Sequence, residues 1–183
     1  MTVWYAQKSG NISANDVFFD APSGGNAKDV SAESDGTIIL SANSYTIAID
    51  EDVTALRLST ADEDAGGAGV AGGGFALSGS TAVTITADIT AGTTTCLTST
   101  HTGTGVNGVT INGAVTGGAA NAYGAWNGSG GTLTINGNVT GGSGSSARGA
   151  WNGHGGTLTI NGNVTGGSGS SADGAWNYGT GTL

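Results

Sequence analysis

The sequence predicts an all-β fold, a right-handed, three-sided parallel β-solenoid of about 25 residues per coil with an N-terminal cap. Three observations carry this. Trp126, Trp151 and Trp176 stand 25 residues apart, each within Gly-Ala-Trp-Asn, and the sequence between them is nearly copied. Inside each copy, apolar residues alternate with polar ones, as Leu133 and Ile135 do with Thr132 and Thr134, which is the period of a strand. Glycine occurs 37 times against a single proline, so the chain is rich in residues that turn tightly and poor in the one that blocks a β-ladder.

Taken in order, residues 1–36 fit neither the repeat nor its alternation. They hold Trp4, Tyr5, Phe18, Phe19 and Pro22 and read as a cap or attachment segment, because an open first rung exposes unpaired backbone. Residues 37–107 read as irregular coils. The strand-like runs 37–40, 46–49 and 55–58 recur at intervals of nine and fit the three faces of a first coil, and Val83–Gly92 matches Val109–Gly118 position for position at a spacing of 26. Residues 108–183 are tandem Gly-rich coils in which Leu133 should lie over Leu158, Ile135 over Ile111 and Ile160, and Val139 over Val115 and Val164. Rungs stack at about 4.8 Å, and each such buried side chain contributes about 1.5–3 kcal/mol. The sequence ends at Leu183, two residues into a further strand, which fits a longer array or a partner covering that edge.

Composition narrows the function classes. Leu, Ile, Val and Phe make only 32 of 183 residues, which with a net charge of −9 approaches the composition of a disordered chain; order comes from placing the apolar residues at fixed repeat positions. The lack of glycine at every third residue excludes collagen. Eleven of the 13 acidic residues fall between Asp16 and Asp64, and the only cations are Lys8, Lys28, Arg57 and Arg148. Without a basic groove, nucleic-acid and membrane-surface binding are disfavoured. There is no apolar run of membrane-spanning length and no N-terminal signal peptide, so a place outside the cell would be reached by lysis, by a C-terminal signal or within a virion. Cys96 has no partner for a disulfide and reads as a small buried hydrophobe.

Few residues suggest chemistry. Gly153-His154-Gly155 is similar to the Gly-His-Gly element of polygalacturonase-type β-helix enzymes, but no paired aspartates accompany it, and glycoside hydrolysis needs two carboxyl groups about 5–10 Å apart. His154 therefore reads as an exposed loop residue, aligned with Ser129 and Tyr178 in neighbouring copies. His101 reads as a lone loop histidine, and with no ligand partners at metal spacing neither a metal nor a cofactor is expected. Asp62-Glu63-Asp64 and Asp50-Glu51-Asp52 read as solvated acidic loops rather than calcium loops.

The Trp126, Trp151 and Trp176 series is the candidate site. In register, its rings would form a continuous aromatic strip, serving as a core or corner stack, the simplest reading, as a seam between chains, or as a sugar-binding platform. Asn127, Asn152 and Asn177, with Asn112, Asn136 and Asn161, fall at coil corners as asparagine ladders, where asparagine tolerates left-handed backbone. Arg148 and Asp173 share a repeat position and should meet as an exposed pair. Thr84, Thr86, Thr110, Thr132, Thr134, Thr157 and Thr159 make outward rows that resemble ice-binding solenoids, although Asn112, Asn136 and Asn161 interrupt them.

The opening Val3-Trp-Tyr-Ala-Gln-Lys-Ser-Gly-Asn11, followed by Asp35-Gly-Thr-Ile-Ile-Leu-Ser-Ala-Asn-Ser-Tyr-Thr-Ile47, resembles the start of pectin-lyase-like right-handed β-helix proteins, as found in phage tail, spike and fibre proteins and bacterial surface adhesins. The motif likeness extends to about residue 60, and the fold it marks serves many functions. It implies a parallel β-helix, often trimeric in virion proteins, displayed outside the cell and often contacting polysaccharide. The regular coils without clustered acids depart from the enzymes of that family.

The expectation is thus a non-enzymatic structural or adhesive rod, a phage virion fibre or spike component contacting a host surface or polysaccharide, joined to other virion or surface-assembly proteins through its N-terminal segment and open to homo-oligomerisation. A polysaccharide-degrading β-helix, an ice-binding solenoid and a self-assembling extracellular fibre are the alternatives.

Overall fold

The computed structural model describes residues 2–21, 23–34, 36–41, 45–62, 68–69, 74–91, 97–119, 121–128 and 130–183. Cys96, Glu63, Asp64 and Ser129 lie outside them. The described chain is all-β with one short 3-10 turn, Gly105–Asn107, and its parallel sheets stack as a β-solenoid of about 4 turns, about 25 residues apart.

Each regular coil carries three strands. The first column stacks Val109–Ile111, Thr132–Ile135 and Thr157–Ile160; the second, Val115–Thr116, Val139–Thr140 and Val164–Thr165; the third, Ala125–Asn127, Ala150–Asn152 and Ala175–Asn177. Every predicted stack is present: Leu133 pairs with Leu158, Ile135 with Ile111 and Ile160, and Val139 with Val115 and Val164. Between the first two columns the chain turns so tightly that backbone lies on backbone. A Cβ added to Gly137 would overlap the Gly113 carbonyl, and one on Gly162 the Gly137 carbonyl, so only glycine fits this turn.

Upstream, Val83–Thr90 runs straight through what become two strands, pairing Val83 with Val109 and Ile89 with Val115. It lies on Val53–Ser59, whose pairing shifts at a bulge between Thr54 and Arg57. The extra residue turns Leu56 outward, 47% exposed.

The three runs at intervals of nine are not three faces of one coil. Thr37–Leu40 lies beside Arg57–Ser59 on the second column in successive rungs, with Ile39 beside Leu58, while Thr46–Ile49 belongs to the third column. Only 19 residues separate Ile39 from Leu58. The coil still lays all three columns, because its first-column residues, Val53 and Thr54 beside Ile85 and Thr86, run straight into the second column at Arg57–Ser59 without a turn.

The N-terminal cap contains a rung of its own. Thr2–Ala6 is itself a parallel rung, with Trp4 beside Ile39, and Gly10–Asn11 joins the third column beside Ile47 and Ala48. Phe18–Phe19 and then Ala27–Lys28 add antiparallel strands to that edge. Over the buried Trp4 ring sits the Lys28 ammonium, 5.4 Å from its centre and paired with Glu33.

The core is one continuous column of side chains: Trp4, Ile39, Leu58, Ile89, Val115 and Val139 on the second column, and Ile47, Phe75, Leu97, Ala125 and Ala150 on the third. The neighbouring inward row of the third column changes character along the rod, from Ile49 and Leu77 to Ser99, Asn127 and Asn152, all buried.

Candidate binding face: an outward aromatic cluster

Ala-Trp-Asn is short enough for strand alternation to decide everything. Ala125, Ala150, Asn127 and Asn152 are fully buried, so the tryptophans between them point outward. The reading of the tryptophans as a core stack is therefore overturned: the coil interior at this height holds a methyl and an amide, and an indole has no room there.

The rings do not form a continuous strip either. Those of Trp126 and Trp151 lie 5.6 Å apart but tilted by 59°. The residue two places on explains how they lie. Each ring folds over a glycine, Gly128 or Gly153, so closely that a Cβ on Gly153 would overlap the end of the Trp151 indole. In the next coil Tyr178 occupies that place, since its N–H bonds the Asn152 carbonyl as the Gly153 N–H bonds that of Asn127. Trp176 lies instead against Arg148, whose guanidinium carbon is 4.6 Å from the ring centre and whose Nε bonds Asp173 at 3.3 Å.

Tyr178 stacks on Trp151 at 6.4 Å and 17°, and from the coil before, Tyr123 stacks on the same indole at 6.5 Å and 18°. Three nearly parallel rings thus cross three coils diagonally. His154 stands edge-on beside them, 6.3 Å from Trp151 and 6.5 Å from Tyr178. It is exposed, as expected, but the register corrects its alignment: Tyr178 matches Gly153, and His154 matches Gly179. Both take left-handed backbone, with φ of 54° for His154 and 79° for Gly179. Sequence reasoning missed Tyr123 and Tyr178 because each breaks its repeat position, Tyr123 sharing one with Arg148 and Asp173. An aromatic residue at a place otherwise small or charged was the available signal.

Behind this face runs the inner asparagine ladder. Asn127 Nδ2 donates to Asn152 Oδ1 at 2.9 Å, and Asn152 Nδ2 to Asn177 Oδ1 at 3.0 Å. The same Asn152 amide also reaches the Gly156 and Thr182 carbonyls, at 2.9 Å each. An outer, exposed ladder runs the opposite way, Asn161 to Asn136 at 2.7 Å and Asn136 to Asn112 at 2.8 Å. None of these asparagines uses left-handed backbone; among the described residues His154 is the one non-glycine with positive φ.

The other singled-out residues are structural. His101 is buried at 1% exposure, against its reading as an ordinary loop histidine: its Nδ1 accepts from the Gly103 N–H at 3.1 Å, so Nε2 carries the proton toward the Thr81 carbonyl at 2.7 Å. Asp50 accepts from Asn11 and Ser13, and Asp52 from the Thr84 N–H at 2.7 Å, so these exposed carboxylates join neighbouring rungs as well as facing water. Among the described residues no three His, Cys, Asp or Glu side chains are grouped to hold a metal, and no helix is long and apolar enough to cross a membrane. Threonines 84, 110, 134 and 159 align in one row, and Asn112, Asn136 and Asn161 occupy the next.

Fold and face together define a parallel β-solenoid that carries an aromatic cluster on its outer surface. No family model, no curated protein and no solved structure matches the chain.

Proposed function

We propose that the protein is a non-enzymatic rod, a component of a phage virion fibre or spike, attached through its N-terminal segment and contacting a host surface through its Gly-rich coils. The observation that supports this best is the outward aromatic cluster on a rigid stack of coils, with no second carboxylate beside it. Asp173 is the one acid among residues 108–183, and it is bonded to Arg148. A hydrolytic reading requires a pair of carboxyl groups across a cleft, which this face does not offer. The likeness of residues 3–47 to phage and adhesin β-helices favours the same assignment.

The test is immunogold electron microscopy of native particles and cells with antibody against residues 108–183. Labelled projections are expected. Label confined to unassembled soluble protein would overturn the reading, as would release of reducing ends from polysaccharide by the purified chain.

A further inference from the structure

We propose that Tyr123, Trp151 and Tyr178 form a binding track for an uncharged polysaccharide, with the two phenol hydroxyls and the His154 imidazole pairing with sugar hydroxyls at its rim. This rests on the reading of the protein as a non-catalytic rod that contacts a surface.

Three features select this ligand. The rings lie nearly parallel at 6.4–6.5 Å over three coils, a regularly spaced apolar strip that suits the C–H groups of successive sugar rings better than an irregular peptide. The Tyr123 and Tyr178 hydroxyls and the His154 imidazole have no hydrogen-bond partner among the described residues, so polar groups of both kinds border the apolar track. The surroundings are nearly free of charge: the only Lys, Arg, Asp or Glu residues in 108–183 are Arg148 and Asp173, bonded to each other. An anionic polymer would find one cation, already paired.

Size argues against a second copy of the chain. Three rungs at about 4.8 Å give a strip on the order of 200 Å², whereas a stable dimer buries about 800 Å² on each partner. The track is also preformed, because Gly153 leaves the space in which the Trp151 ring lies and so fixes it without a ligand.

Affinity electrophoresis of the full chain through gels containing hydroxyethylcellulose, soluble starch, dextran, galactomannan or laminarin tests this, with alginate and polygalacturonate as anionic counterparts. At least one neutral polymer should retard the protein and the anionic ones should not. Tyr123→Ser and Tyr178→Ser should each weaken retardation about tenfold, the effect of losing one stacked ring, while the far-UV circular dichroism stays that of the parent. The proposal is overturned if no neutral polymer retards the chain, if only the anionic ones do, or if the double variant is retarded like the parent. It is overturned equally if sedimentation shows the parent self-associating through this face and the double variant monomeric. Labelled projections combined with unretarded protein would leave the rod reading standing and remove only the track.

Discussion

Asn127 donates through Nδ2 to the Oδ1 of Asn152 at 2.9 Å inside the solenoid, with both residues fully buried. Between Ala-Trp and the glycine turn, the amide is the group that can both give and receive along the rod axis. It ties each coil to the next where the upstream coils have Ile49 and Leu77.

Asn152→Asp should therefore cost about 3 kcal/mol, since an acceptor-only carboxylate would face the Gly156 and Thr182 carbonyls in a buried site. Asn161→Asp in the exposed ladder removes one comparable bond and should cost under about 1 kcal/mol, because water replaces it. Urea unfolding of the two variants measures the contrast; equal losses would contradict the inner ladder's role.

Two glycines should respond differently to the same methyl group. Gly137→Ala drives a Cβ into the Gly113 backbone, which cannot move without opening the stack, and should cost about 1–3 kcal/mol. Gly153→Ala meets only the end of the Trp151 ring, so stability should change by less than about 1 kcal/mol while the indole swings away. A shifted tryptophan emission maximum in Gly153→Ala, at a nearly unchanged unfolding midpoint, is the expected result.

His101→Leu should destabilise by about 2–4 kcal/mol, because it leaves the Gly103 N–H and the Thr81 carbonyl unpaired at a buried position. Amide exchange at Gly103 should accelerate before exchange in the Ile111 and Ile135 rungs does. Unchanged protection at Gly103 would mean that the histidine does not hold this turn.

Near the N-terminus, Asp20 accepts from the side-chain and backbone amides of Asn26, which hold its carboxyl below the ordinary value of 3.8. A depressed carboxyl favours the folded turn above the unfolded pKa of about 3.9 and loses that preference as pH falls through its folded value. Because the group is exposed, the effect is local. The Asn26 amide shift should titrate with a midpoint under 3.8 while the resonances of the coil core stay in place.

The register of the solenoid was legible in the sequence, because stacked coils require like residues at like positions and the repeat displays them: Leu133 over Leu158 and Val139 over Val164 follow from spacing alone. Direction was harder. In Ala-Trp-Asn, hydrophobicity points the tryptophan inward, yet width decides, and the narrow interior accepts alanine and asparagine. Irregular spacing hid the shortened coil between Ile39 and Leu58, since a run of nine fits either a separate face or part of one strand that passes through two columns, as Val53–Ser59 does. His101 looked unremarkable because its partners are backbone groups, which leave no mark on composition. Tyr123 and Tyr178 became meaningful only once the diagonal through Trp151 was visible, as they lie 55 residues apart.

Because each inner asparagine offers a donor to one side and an acceptor to the other, every regular coil has the same polarity and presents interchangeable surfaces to its neighbours. Removing residues 132–156 would bring Asn127 onto Asn177 and Val109 onto Leu158 with no bond type changed. Gain or loss of a whole 25-residue unit can therefore lengthen or shorten the stack by whole coils and leave no mismatched junction. Length in this fold is thus a quantity that changes in whole-coil steps while each interface stays the same.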